Sequence, residues 1–151
     1  MTAYHLAQLN VARLVAPLDD PALADFVANL DRLNALADND PGCVWRLQDD
    51  SGNATSLRPF DDPTLLPNMS VWTSIDALWD YVYRSPHLDL LRRRREFFLP
   101  AGTQPYQVLW WVPAGHIPTI DEAWQRLELL RAKGPGPDAF TFRDRYPPPA
   151  D

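Results

Sequence analysis

Hydrophobic and polar positions along this chain fall into two periods, and their alternation sketches the fold. Residues 4–11 read as a strand, with Tyr4, Leu6, Gln8 and Asn10 on one face and His5, Ala7, Leu9 and Val11 on the other. Asp20 is placed as a helix N-cap with Pro21 at the first helical position, and Leu23, Phe26, Val27, Leu30 and Leu33 then recur at helical spacing to about Ala37. The run Asp38-Asn39-Asp40-Pro41-Gly42 breaks that helix. Residues 43–48 form a second strand, followed by a polar turn over 49–53, and 55–67 read as a proline-interrupted loop. A third strand runs over 68–72, setting Asn68, Ser70 and Trp72 on one face and Met69 and Val71 on the other. Ser74 caps a helix whose apolar face is Ile75, Leu78, Trp79 and Val82.

The next segment, SPHLDLLRRRREFF, is the most informative in the chain. Ser85 is an N-cap and Pro86 fits the first helical position. On a continuous helix His87, Leu91, Arg94 and Phe98 share one face, while Arg92 and Arg93 point away. A histidine and an arginine on an otherwise apolar stripe require polar company, because burying an unpaired charge is costly. A fourth strand over 106–112 follows. Thr119 and Glu122 then form a capping box opening a last helix through Trp124, Leu127 and Leu130. The run Gly134-Pro135-Gly136-Pro137 ends it. The tail over 147–151, with three consecutive prolines, is expected to be flexible, leaving 1–146 as one domain.

The order β-α-β-β-α-β with an extra C-terminal helix is that of a ferredoxin-like α+β fold, the split βαβ arrangement. Four antiparallel strands with helices on one face leave the other face open, and a two-fold homodimer is the expected cover.

Composition narrows the function classes. A net charge of −6 and no basic stripe beyond four consecutive arginines argue against a nucleic-acid partner. No long apolar run spans a membrane, no signal peptide is evident, and a lone Cys43 excludes an internal disulfide, which together predict a cytoplasmic protein. Three dispersed histidines offer no metal motif, and neither a nucleophile elbow, a phosphate-binding glycine loop nor a dinucleotide fingerprint is present. Six tryptophans and six phenylalanines are enough to wall a pocket for a flat organic ligand as well as fill a core.

The segments HLAQLNVARL, PGCVWRLQDDSGNAT, NMSVWTSIDALWDYVYRSPH, RRRREFF, LWWVPAGHIPTIDEAWQRL and GPGPDAFTF together resemble a bacterial domain-of-unknown-function family. That family is placed within the dimeric α/β-barrel, antibiotic-biosynthesis-monooxygenase-like superfamily. The resemblance implies a homodimer with a small-molecule pocket between sheet and helices, where the His87–Arg94 face is expected to point. His87 at a helix N-terminus is held neutral by the dipole and becomes a candidate base, with Arg94 and Asn10 stabilising the resulting enolate or phenolate. Gln8, Asn68, Ser70, Trp72, Tyr83, Phe98 and Trp110 are candidate pocket walls. The expected activity is monooxygenase- or isomerase-like, on an aromatic or polyketide-like acid, without a tightly bound cofactor.

Two alternatives stand beside it: a non-catalytic ligand-binding or stress-response barrel, and a haem protein. The resemblance to haem-degrading enzymes implies an asparagine matched by Asn10, a tryptophan position occupied by Tyr81, and an axial position near Leu91 or Arg92, away from His87. As structural readings, His5 is a structural residue, His87 hydrogen-bonds a backbone carbonyl in the core, His116 sits in a surface loop, Cys43 is a buried thiol, and Arg46 is solvated or lies in a dimer interface.

Overall fold

A computed structural model describes residues 3–16, 20–47, 65–100 and 104–149. Four strands, β1 (Tyr4–Arg13), β2 (Cys43–Arg46), β3 (Leu65–Trp72) and β4 (Gln107–Pro113), form one sheet in the order β2-β3-β1-β4. All three pairings are antiparallel, so β1 and β3 occupy the centre, as the split βαβ arrangement requires. The expected turn over 49–53 lies outside the described residues. The expected loop over 55–67 is partly overturned: β3 already begins at Leu65, and Pro67 pairs with Val11. The Val11 N–H is bonded to the Tyr106 carbonyl on the opposite side, so the missing donor of Pro67 leaves no gap in the ladder there.

The helices are α1 (Ala24–Asp38), preceded by a 3-10 turn at Pro21–Leu23, then α2 (Ile75–Arg84), α3 (His87–Arg92), α4 (Arg94–Phe97) and α5 (Ile120–Lys133). Asp20, Ser74 and Thr119 each accept a backbone N–H at their helix start. The single helix expected over 85–98 is instead two short pieces broken at Arg93. The expected cap is shifted by one residue: α3 starts at His87 with Pro86 at the N-cap position, while the Ser85 hydroxyl still accepts the His87 N–H at 3.1 Å. Gly134 ends α5 at φ 75°, a left-handed conformation that glycine adopts without strain.

Register divides the sheet cleanly. One face carries Leu6, Gln8 and Asn10 beside Trp72, Ser70 and Asn68 and is covered by α1, α2 and α3. The other carries Ala7, Leu9, Val11, Met69, Val71, Val108, Trp110 and Val112 against Ala123, Leu127 and Leu130 of α5. This corrects the open-face expectation: the extra helix covers it within one chain, and Ala7, Leu9 and Trp110 are fully buried there. The C-terminal arm is also packed. Phe140 is fully buried against Leu109 and the Trp111 indole donates to the Tyr146 carbonyl at 2.9 Å, while 143–145 and 147–149 stand exposed.

Candidate active site

A cavity of about 210 Å³ lies between the helix-covered face of the sheet and α1, α2 and α3. One buried water needs only about 10–15 Å³ by this measure, so the space is ligand-sized. Its floor is polar because β1, β3 and β4 place Gln8, Asn10, Asn68, Ser70 and Gln107 on the same side. Its walls are aromatic and aliphatic: Phe26, Trp72, Tyr81, Tyr83, Phe98, Tyr106 and Phe142, with leucines between them. Among the described residues no aspartate or glutamate lines it.

The floor is cross-linked. The Gln8 amide, 3% exposed, donates to Asn68 Oδ1 at 2.8 Å and to Ser70 Oγ at 2.9 Å. Trp72 Nε1 donates to the same Ser70 oxygen at 2.8 Å. With both lone pairs occupied, the Ser70 hydroxyl hydrogen is left as a donor to anything in the cavity. Asn10 makes no side-chain hydrogen bond among the described residues, so its amide is also uncommitted.

His87, Leu91, Arg94 and Phe98 all border the cavity despite the break at Arg93, because two short helices still turn the same residues inward. Arg93 points away and is held by Asp25 and Glu96 at 2.8 Å each. The His87 ring packs 5.2 Å from Tyr81, and protein seals off its Nδ1 without a partner among the described residues. Burial lowers the His87 pKa, while a hydrogen bond with the Val82 backbone acts upward. The expected dipole contribution is small, since α3 has only six residues; desolvation supplies the effect. The Arg94 guanidinium lies 4.4 Å over the Tyr106 ring and 5.7 Å over Phe98, with no carboxylate partner among the described residues.

Of the residues singled out in the sequence, Asn10, Gln8, Asn68, Ser70, Trp72, Tyr83, His87, Arg94 and Phe98 are thus brought together. Trp110 is not: its odd-numbered neighbours fix it on the α5 side, where its indole donates to Glu122 Oε2 at 3.3 Å. Arg46 is a further correction. It lines the cavity and grips Asp38 through Nε at 2.7 Å and Nη2 at 3.0 Å, which lowers the Asp38 pKa. Its neighbour Trp45 packs on the α5 side. Sequence reasoning also missed Tyr81, whose hydroxyl donates to the Leu33 carbonyl at 2.8 Å and is pushed well up in pKa by burial. Phe142 of the C-terminal arm was missed too; the only signal for it was the Phe-Thr-Phe spacing after the Gly-Pro run. Cys43 is half-buried, and desolvation pushes its thiol up to about 11, so it is no nucleophile. His116 pairs with Glu122 at 2.8 Å at the surface, as expected of a loop histidine.

The haem pattern does not fit. At the expected axial position, Leu91 is a wall of the cavity and Arg92 is exposed, and neither ligates iron. Among the described residues no group of three or more His, Cys, Asp or Glu side chains could hold a metal ion. No helix among them is long and apolar enough to cross a membrane.

Solved structures with similar coordinates include SnoaB, a cofactor-independent oxygenase from Streptomyces nogalater, at 20% identity over 80% of this chain and 100% of that one, with a TM-score of 0.46. A Pseudomonas aeruginosa protein matches at 14% identity over 77% of this chain and 99% of its own, with a TM-score of 0.49. A Mycobacterium tuberculosis protein matches at 17% identity over 77% and 98%, with a TM-score of 0.43. Likeness at this level says nothing of ligand or reaction. No curated protein matches the chain in sequence. The family described as Domain of unknown function (DUF3291) matches residues 5–151, and the chain belongs to it.

Proposed function

We propose that this protein is a small-molecule enzyme that binds an aromatic acid in the sheet–helix cavity and removes a proton from it. The observation that carries this reading is an acid-free, aromatic-walled cavity bordered by an arginine without a carboxylate partner and a histidine whose pKa burial lowers. His87 and Arg94 stand seven positions apart across α3 and the turn at Arg93, on the order of 10 Å at about 1.5 Å per residue. A planar ligand two fused rings long spans that interval. Its carboxylate meets Arg94 in a charge-assisted bond, and its acidic hydroxyl meets the imidazole. The neutral imidazole of His87 takes the proton, and Asn10 and the Ser70 hydroxyl donate to the oxyanion that forms.

The probe 6-hydroxy-2-naphthoate tests the chemistry directly, because its phenolate absorbs at longer wavelength than its phenol. Near neutral pH, the wild-type protein is expected to shift the bound ligand toward phenolate, and His87→Gln to bind it without that shift. Binding by wild type with no change in ionisation leaves a ligand-binding barrel and removes the enzyme reading. We further propose a homodimer, as the family resemblance implies, built on a surface other than the α5-covered sheet. Sedimentation at twice 17.2 kDa supports it, and 17.2 kDa contradicts it.

A further inference from the structure

A second cavity, of about 220 Å³, adjoins the first on the far side of Arg94 and Tyr106, which border both. Arg13, Arg131, Gln104 and Trp124 also line it, and among the described residues no aspartate or glutamate does. Three arginines around one cleft are notable in a chain whose net charge is −6. Arg131 is held in place: its Nε donates to the Pro105 carbonyl at 2.8 Å, and its guanidinium lies 5.5 Å over the Trp124 ring. Those contacts leave its two terminal nitrogens uncommitted among the described residues. Arg94 is likewise fixed by ring contacts alone, so both guanidinium groups keep N–H donors for a ligand.

We propose that this cleft is an oxyanion site for a phosphate-class group. Two preorganised guanidinium groups supply two positive charges and paired donors, which a doubly charged tetrahedral oxyanion satisfies and a monocarboxylate does not. The anion is either free phosphate or the phosphoryl group of a ligand whose body passes Tyr106 into the main cavity. The site shares Arg94 with the carboxylate contact proposed for the main cavity, whereas Arg131 borders only the second cavity, so its variants test this site alone.

Calorimetric titration of the full chain with millimolar inorganic phosphate, phenyl phosphate and acetate at matched ionic strength tests it. Both phosphates are expected to bind saturably and acetate not to. Tighter binding of phenyl phosphate identifies the phosphoryl group of a larger ligand, and equal binding identifies the free anion. Arg131→Gln should weaken phosphate at least about tenfold, the loss of one charge-assisted contact. Arg126→Gln, on the same helix and outside the cleft, should not. No phosphate binding by wild type, equal response to acetate, or an Arg131→Gln protein that binds as wild type overturns the proposal. Should Arg131→Gln fail to fold, Arg131→Lys is read instead: it keeps the charge, loses the fork and must still bind more weakly.

Discussion

His87 shows burial shifting a titration downward against a backbone hydrogen bond that acts upward. Its folded pKa lies below the ordinary value of about 6.5, so below that pH the unfolded chain takes up a proton that the folded chain refuses. Stability from this residue is therefore complete above about pH 6.5 and declines as pH falls through the folded value. Urea unfolding midpoints measured across that window should drop for wild type and lose that component of the drop in His87→Gln. Ser70 is the second decisive residue, since one hydroxyl oxygen serves both Gln8 and the buried Trp72 indole. Ser70→Ala strands two buried donors and should cost about 1–3 kcal/mol in denaturant unfolding. The inward turn of His87 and Arg94 was legible because helical spacing survives a short break. The destination of Arg46 was not, because a strand of four residues says nothing of which face its neighbours cover.

At the scale of elements, the helix starts were legible because Asp20, Ser74 and Thr119 each have a local job, the capture of a nearby backbone N–H. The break at Arg93 was not. Arg93 pairs there with Asp25, 68 residues away, and no local pattern encodes that partner. The start of β3 was hidden by Pro67, which reads as a strand breaker unless its neighbour's bonding is known. Gly42 illustrates close approach: a Cβ there would sit 2.6 Å from Ala77 Cβ, so β2 can enter beside α2 only with glycine at that turn. The C-terminal arm is a structural strap, with Phe140 and Tyr146 packed on the same cluster as Leu6, Trp72 and Leu109. Phe140→Ala should lower the unfolding free energy by about 3–5 kcal/mol, measured by denaturant titration, through the cavity it leaves.

For the whole molecule, the strand order follows from the alternation of strand and helix periods, and the sheet's polar stripe follows from the even-numbered positions of β1. What the sequence could not tell was that α5 crosses to the opposite face, since an amphipathic helix packs equally well on either side of a sheet. That crossing separates the two jobs of the sheet. One face carries an apolar core under α5, and the other holds a polar floor beneath the main cavity. Titration calorimetry of 6-hydroxy-2-naphthoate into wild type and Arg94→Gln tests that division most directly. Loss of the charge-assisted contact should weaken binding at least about tenfold, with Arg126→Gln unchanged. Absence of binding by wild type, or equal affinity in Arg94→Gln, would contradict the cavity as a site for aromatic acids.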